Sequence, residues 1–256
     1  MPSSDPIATA GFTAPVMADV ASGTQSRAGS VVGVGVGVGV GVGSASAPGA
    51  VSGEPPPREG GHDDLLDDLL DRVAEWGPAG TPAGPLHLVP ARLDRDLSLI
   101  SRWMNDPAAA AFWELAGPQG VVEEHLRAQL AGDGRSVPCV GVLDGTPMSY
   151  WEIYRADLDP LARQYPAGRH DTGIHLLIGA VADRGRGLGG LLLRAVADLV
   201  LAQRPSCARV IAEPDIRNTP SIAAFLTAGF RFSAEVDLPA KRAALMVRDR
   251  SLRLLL

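Results

Sequence analysis

The spacing of apolar residues divides the chain into an irregular N-terminal third and a regular remainder. From residue 87 onward, apolar runs of period 2 alternate with runs of helical spacing, and glycine or proline separates most of them. Strands are predicted over 86–93, 136–143, 146–156, 172–181, 208–214, 230–238 and 242–249, and helices over 93–106, 121–132, 187–203 and 220–229. Antiparallel-type strands come first and a β-α-β-α order follows, so the pattern predicts an α/β fold with a mixed sheet and flanking helices.

The first sixty residues form no run of helical spacing, and the period-2 run among them is half glycine. They include a valine-glycine alternation from Val31 to Gly43 and a proline-rich stretch, with hardly an aromatic residue. Glycine at every second position opposes strand formation because its backbone loses so much entropy on ordering. Residues 1–60 are therefore predicted to form a disordered tail. We expect neither a secretory signal nor a membrane span, since no basic segment precedes an apolar core and no run reaches about 18 apolar residues.

An acidic amphipathic helix is predicted between the tail and the regular part. The stretch DDLLDDLLDRVAEW, residues 63–76, carries apolar residues at helical spacing and four aspartates around its start. A glycine- and proline-rich linker follows up to residue 85, and the folded domain is expected over 86–256. The apolar stripe of the helix could pack on its own domain or bind a partner enzyme, and the sequence leaves both open.

Composition narrows the classes of ligand. The net charge is −6 and the pI is near 5.4, which argues against a nucleic-acid partner because binding to phosphates needs clustered cations. Cys139 and Cys207 are far apart without metal-type spacing, so they are predicted to be small buried residues of a protein in a reducing cytoplasm. The five histidines show no ligand spacing, and no metal is expected.

The glycine-rich stretch DRGRGLGG, residues 183–190, follows an apolar strand and leads into a helix. Gly185-x-Gly187-x-x-Gly190 has the spacing of a dinucleotide site, for which Glu213 would be the ribose-binding acid. The same segment also fits R-x-x-G-x-G from Arg184 to Gly189, an acyl-CoA loop. Both motifs direct backbone N–H groups at a pyrophosphate. Context favours acyl-CoA, because a hairpin precedes the site and three residues separate strand from loop.

Five stretches together carry a family resemblance: SLISRWMNDPAAAAFWE, GTPMSYWEIYRADLDPLARQY, DTGIHLLIG, ADRGRGLGGLLLRAV and EPDIRNTPSIAAFLTAGFRF. From about residue 87 to 249 the chain resembles the GNAT N-acyltransferases, and among them the branch that acylates N-hydroxylated lysine or related amines in aerobactin-, mycobactin- and desferrioxamine-type siderophore pathways. The resemblance to aminoglycoside 6'-N-acetyltransferases is more distant. The resemblance to the GNAT family implies the GNAT fold, with a central, mostly antiparallel mixed sheet. It also implies acetyl-CoA or another acyl-CoA as co-substrate.

The resemblance also implies which residues form the site. The residues implied to hold the CoA pyrophosphate and pantetheine are Arg184, Arg186, Gly187, Leu188, Gly189, Gly190 and Asn218. His175 is implied to act as general base or to orient the substrate, and Asp215 to recognise the amine or hydroxylamine. The residues expected to line the substrate pocket are Trp113, Glu114, Tyr150, Glu152 and Tyr154. Strand alternation places the last three on one face, where solvent exposure is an equally simple explanation, whereas Trp103 is predicted to be core.

The chemistry expected is direct attack of a substrate nitrogen on the CoA thioester, with the oxyanion bound by a strand amide near Leu177 and Ile178. A hydroxylamine nitrogen is largely unprotonated at neutral pH, so a base has less work to do. Acetylation of an aminoglycoside is the alternative reaction, although residues 155–170 hold two acids against three arginines. A catalytically silent CoA-binding scaffold, recruited through the 63–76 helix, is the alternative class.

Overall fold

The computed structural model of the protein describes residues 70–255. Predictions for the tail at 1–60 and for residues 63–69 of the amphipathic helix lie outside the described residues. The α-helices within them are α1 (Leu93–Met104), α2 (Pro107–Trp113), α3 (Gln119–Leu130), α4 (Leu188–Gln203) and α5 (Thr219–Thr227). The strands are β1 (Ala79–Thr81), β2 (Gly84–Pro90), β3 (Ser136–Leu143), β4 (Thr146–Arg155), β5 (Thr172–Ile178), β6 (Arg209–Ala212), β7 (Arg231–Asp237) and β8 (Arg242–Asp249).

The eight strands between residues 70 and 255 form one sheet in the order β1-β2-β3-β4-β5-β6-β8-β7. The pair β5–β6 is parallel, and the other pairings are antiparallel. This confirms the predicted mixed, mostly antiparallel sheet. The parallel pair is joined through α4, as expected from the β-α-β order of the sequence, because parallel neighbours need a long crossover connection.

The hairpin β3–β4 turns at Asp144 and Gly145, between the strands predicted over 136–143 and 146–156. Both residues have positive φ, 46° and 77°, which is the geometry of a two-residue hairpin turn that matches the twist of the strands. The register then pairs Glu152 of β4 with His175 of β5. Two polar side chains that are distant in sequence are thereby neighbours on one face of the sheet.

The strands β5 and β6 pair over only two positions, Thr172 with Val210 and Gly173 with Ile211. Beyond Gly173 the two strands separate, so the remaining part of β5 and the segment after β6 form the two sides of a cleft. Ligands bind in such openings between parallel strands because backbone groups and side chains from both strands are free to reach them.

Helices cover both faces of the sheet. On one face α4 packs against Trp151, Ile153 and Ile174, together with Leu70, Val73 and Trp76 from the N-terminal segment. On the other face α1 and α3 pack against Val140, Tyr150 and Leu177. Trp103 is buried, as predicted, and so are both free cysteines. The described apolar residues of the 63–76 helix thus pack on their own domain.

Two elements of the structure were not predicted from the sequence, and residues Leu70–Glu75 of the predicted 63–76 helix form a 3-10 helix. Residues 79–81, predicted as linker, form β1 because they pair with β2, and the Thr81 hydroxyl donates to the Gly84 carbonyl at 2.6 Å. The alanines after Asp106, which lie between the helices predicted over 93–106 and 121–132, form α2. The Asp106 carboxylate accepts from two backbone N–H groups of the first turn and Pro107 follows at N1, which together are strong signals for a helix start.

Candidate functional site

The site is built on the face of β4 that carries Tyr150, Glu152 and Tyr154. All three side chains are buried, whereas the sequence left solvent exposure open. A carboxylate in this position is costly unless donors surround it. The Glu152 Oε1 atom accepts from Tyr150 OH at 2.9 Å, from Gln129 Nε2 at 2.7 Å and contacts His125 Nε2 at 2.7 Å. Burial alone would raise the pKa of Glu152, but hydrogen bonds from His125 and His175 outweigh it and hold the pKa well below its usual range.

His175 lies between two buried carboxylates. Its Nδ1 is 2.9 Å from Glu152 Oε2, and its Nε2 is 2.5 Å from Glu213 Oε1. A neutral imidazole has one N–H and one lone pair, so it can donate to only one of the two; the imidazolium donates to both. Burial by itself would lower the pKa of His175, but the charge of Glu213 and the hydrogen bonds to both carboxylates raise it to about 10. His175 is therefore a cation at neutral pH.

Glu213 lies between the end of β6 and Pro214. It contacts His175 from the side of the cleft opposite to Glu152. Its Oε2 accepts from Tyr154 OH at 2.6 Å, and the Lys241 ammonium lies 3.6 Å from its Oε1. Burial opposes ionisation of Glu213, but the neighbouring charge of His175 dominates and lowers the pKa to about 2. Successive polar contacts thus run from α3 across the sheet to the β7–β8 turn, through His125, Glu152, His175, Glu213 and Lys241.

Trp113 forms an aromatic wall beside these polar groups. Its ring centroid is 5.5 Å from that of Tyr150 and 6.1 Å from that of His175, both in edge-on geometry. The Tyr154 ring lies 4.9 Å from His175 on another side. Glu114, the residue after Trp113, is exposed and ends α2 with a φ of 55°. Of this predicted pair, Trp113 thus lies beside His175, whereas the Glu114 side chain is exposed to solvent.

Asp215 occupies the turn between β6 and α5. Its buried carboxylate accepts from the Arg217 side chain at 2.6 Å and from the Arg217 backbone N–H at 2.8 Å. The carboxylates bonded to His175 are instead those of Glu152 and Glu213. Asn218, which the resemblance implies for binding CoA, caps α5, and its side chain accepts from the Ser221 N–H at 3.2 Å.

The glycine-rich loop leads into α4 with two exposed residues in the left-handed region. Gly185 has a φ of 70° and Gly187, the N-cap of α4, a φ of 78°. A Cβ on either would meet no atom within 4 Å, so these positions need glycine for the backbone conformation and face open space. The first N–H groups of the 16-residue helix, from Leu188, Gly189 and Gly190, have no partner within the helix. An anion such as a pyrophosphate fits there.

The side chains of the loop have other roles. A Cβ on Gly190 would lie 3.0 Å from Thr227, so this glycine lets α4 approach α5. Arg184 donates to the carbonyls of Ile178 and Gly179 at 3.0 and 2.8 Å and forms an ion pair with Asp106, the cap of α2. Arg186 is exposed and near Asp183. The loop is thus attached both to the end of β5 and to the helix that carries Trp113.

The free backbone amide of β5 faces the cleft. Gly179 N–H donates to the Met148 carbonyl of β4 at 2.9 Å. Since hydrogen-bonding direction alternates along a strand, the N–H of Ile178 points away from β4, toward the opening between β5 and β6. This is one of the amides that the sequence analysis assigned to the oxyanion.

Three contributors were not assigned to the site from the sequence: His125, Gln129 and Lys241. Glu213 was considered only as a ribose-binding acid. His125 and Gln129 are four residues apart and share one face of α3, which was a usable signal, but the strand that this face meets is decided by tertiary packing. Among residues 70–255, no group of three or more His, Cys, Asp or Glu side chains could hold a metal ion, and no helix is long and apolar enough to cross a membrane.

The splayed pair β5–β6, the pyrophosphate-type loop at the start of α4 and the amide of Ile178 together define an acyl-CoA-dependent acyltransferase. The model of the acetyltransferase (GNAT) domain matches residues 92–238, more than half of the chain, and the protein belongs to this family of N-acyltransferases. Members of the family use acetyl-CoA or another form of coenzyme A.

The relatives specify the branch. The chain is 39% identical to a lysine N-acyltransferase MbtK of Mycolicibacterium paratuberculosis over 71% of this chain and 82% of the relative. It is 35% identical to an N(6)-hydroxylysine O-acetyltransferase of Escherichia coli, over 60% of this chain and 49% of that protein. Among solved structures, AAC(6')-Ib in complex with paromomycin and acetyl-CoA is 25% identical with a TM-score of 0.58, over 65% of this chain and 94% of the other.

Proposed function

We propose that the protein transfers the acyl group of acetyl-CoA or another acyl-CoA to the nitrogen of an N-hydroxylated lysine-type amine or diamine, producing a hydroxamate for a siderophore. The observation that carries this proposal is the position of His175 between Glu152 and Glu213. Neither ring nitrogen is available as a base, and both carboxylates are too weakly basic to remove a proton from an ammonium.

The protonation state of the acceptor therefore decides which substrate fits. An alkylammonium has a pKa of about 10.4 and must lose a proton before its nitrogen can attack. A hydroxylamine nitrogen already carries a free lone pair at neutral pH and needs no strong base. A site whose histidine is held as a cation suits the second kind of acceptor. The name of the Escherichia coli relative, an N(6)-hydroxylysine O-acetyltransferase, supports this choice, whereas the mycobacterial relative is named for lysine.

The reaction would proceed in a ternary complex. The amides from Arg186 to Gly190 would bind the pyrophosphate, and Asn218 would contact the pantetheine arm. The acceptor nitrogen forms a bond to the thioester carbon, and the oxyanion accepts a hydrogen bond from the Ile178 N–H. The C–S bond then breaks, and CoA leaves as the thiolate. The nitrogen releases its proton to Glu213 or to water, and the thiolate takes up a proton from solvent.

The remaining residues would position the acceptor. The Trp113 ring would cover its carbon chain, and Glu114 and Tyr154 would contact the acceptor from other sides. His175, fixed by two carboxylates, would orient the hydroxylamine oxygen through an N–H donor once the acceptor displaces one of them. Asp215, whose charge is shared with Arg217, would contact the far polar end of the acceptor. Since acyl-CoA is made in the cytoplasm, we place the reaction there.

An aminoglycoside acceptor is the second candidate, because structures of AAC(6')-Ib share the fold. A polycation would need excess negative charge, but the two buried carboxylates of this site already face two cations, His175 and Lys241. The site therefore favours a neutral acceptor nitrogen.

Thiol release from acetyl- and succinyl-CoA tests the proposal. The acceptors to compare are N6-hydroxylysine, N-hydroxycadaverine, lysine, cadaverine and an aminoglycoside. Turnover confined to the hydroxylated amines, with a hydroxamate found by mass spectrometry, is the expected result. Activity on the aminoglycoside alone would refute it. Silence with all five, together with measurable CoA binding, would indicate a scaffold.

A further inference from the structure

Of the 23 lysine and arginine residues in the chain, 22 are arginine, and Lys241 is the single lysine. It lies in the turn between β7 and β8, where Leu238 and Lys241 exchange backbone hydrogen bonds of 2.8 and 3.2 Å. The turn directs the side chain toward the sheet, where its ammonium lies 3.6 Å from Glu213 and only 28% of the side chain is exposed. Lysine is mostly a solvated surface residue, so this position calls for a reason.

The oxygen that Lys241 approaches is the same oxygen that contacts His175. Glu213 Oε1 lies 2.5 Å from His175 Nε2 and 3.6 Å from Lys241 Nζ. The carboxylates bonded to His175 are Glu152 and Glu213, and the cations facing them are His175 and Lys241. The charges of these four groups cancel, and His125 contacts Glu152 at 2.7 Å from the side of α3. Asp159, farther out, adds negative charge on the same side, and burial together with the charge of Glu213 raises its pKa.

This balance matters for the charge of the acceptor. A neutral nitrogen enters without changing it, whereas an ammonium adds a third cation next to the two already present. Between unit charges about 6–8 Å apart in a partly buried site, Coulomb's law gives a repulsion that changes binding by about tenfold to a hundredfold. If Lys241 were absent, the site would hold one uncompensated carboxylate, and an ammonium would be attracted to it.

We propose that Lys241 is a specificity-determining residue: by sharing Glu213 with His175, it keeps the acceptor site balanced and favours the neutral nitrogen of an N-hydroxylated amine over the ammonium of the unmodified amine. The inference rests on the proposed function, because it takes the hydroxylamine as the natural acceptor. It adds a means of discriminating against the unmodified amine, which differs from the acceptor by one oxygen atom.

Two acceptor pairs that differ only at the reacting nitrogen test the inference: N6-hydroxylysine with lysine, and N-hydroxycadaverine with cadaverine. For each pair, the ratio of kcat/KM values and the ratio of calorimetric Kd values are measured with a CoA-saturated enzyme. The proteins are the wild type, Lys241→Met, Lys241→Arg and Arg242→Met. The last is the matched control, since Arg242 is adjacent in the turn but 63% exposed and paired with Glu235.

Lys241→Met is expected to lower the preference for the hydroxylated member by about tenfold, mainly through tighter binding of the unmodified amine. Lys241→Arg keeps the charge and is expected to keep the preference, as is Arg242→Met. Unchanged ratios in Lys241→Met, or an equal change in Arg242→Met, would overturn the inference. Unchanged CoA affinity and Tm exclude misfolding as the cause.

The outcome also separates the inference from the proposed function. If the wild type turned over no hydroxylated amine, the proposed function would fail, but the Kd ratios would still show whether Lys241 disfavours ammonium ligands. If the wild type acts on hydroxylated amines and Lys241→Met binds both members of each pair as the wild type does, the function stands and the role of Lys241 is refuted.

Discussion

Replacing Glu213 by glutamine removes one of the two negative charges that hold His175 as a cation, with almost no change in shape. The two carboxylates raise the pKa of His175 from its ordinary 6.5 to about 10, which corresponds to about 5 kcal/mol in favour of the charged form. One opposite charge within about 4–6 Å shifts a pKa by roughly 1–3 units. In Glu213→Gln the pKa of His175 is therefore expected to fall to about 7–9.

The sign of the pH dependence follows from the direction of the shift. Because the pKa of His175 in the folded protein lies above its ordinary value, its ion pairs stabilise the wild type fully below about pH 6.5, and this stabilisation is lost as pH rises toward 10. The Tm of the wild type should fall over that range, and that of Glu213→Gln should fall less. The rate with a hydroxylated amine should be nearly independent of pH between about 6 and 9 in the wild type, and should acquire an inflection in the variant.

Histidine NMR titration measures the pKa directly, and the loss of one resonance in His175→Gln assigns it. The chain has five histidines, so the spectrum is simple. A His175 that titrates near 6.5 in the wild type would refute the imidazolium assignment. An unchanged titration in Glu213→Gln would show that Glu213 does not carry the shift.

Three further substitutions test other parts of the site. Gly187→Ala places a side chain at a φ of 78°, which costs about 1–2 kcal/mol. Calorimetry should therefore show CoA affinity reduced severalfold, while the Tm falls by only a few degrees. Unchanged affinity would contradict the assignment of the loop to CoA. Trp113→Ala should lower kcat/KM for the acceptor about tenfold or more without changing the KM for acyl-CoA, and Trp113→Phe should retain part of the kcat/KM. An equal loss for both substrates would argue against a contact between Trp113 and the acceptor. Gly173→Ala would place a Cβ 2.0 Å from the Tyr154 ring, and thermal denaturation should show a loss of about 1–3 kcal/mol; a wild-type Tm would mean that the ring moves freely.

The elements predicted most accurately were those with a strong local signal. The Asp144-Gly145 hairpin follows from two residues that tolerate positive φ, and the α4 start follows from the glycines before it. The α2 helix was missed because its alanines carry no apolar periodicity, although Asp106 and Pro107 are good cap signals. Strand β1 was missed because three residues are too few to show a period of 2.

The candidate site divides in the same way. Period-2 alternation places Tyr150, Glu152 and Tyr154 on one face, and the structure shows that this face is buried. The partner of His175 could not be read from spacing. Asp215 and Glu213 are both acids near the end of one strand, so the sequence does not distinguish them. The structure shows that the end of β6, where β5 and β6 are no longer paired, places Glu213 beside the imidazole.

The sequence by itself determined the fold class, the glycine-rich loop before α4, the strand that carries His175 and the polar face of β4, because each depends on residues close together in the chain. The tertiary structure alone decided the charge of His175 and the place of Lys241. Those properties arise where α3, β4, β5, the end of β6 and the β7–β8 turn meet, and the pKa of a buried group is set by whichever charges packing brings near it.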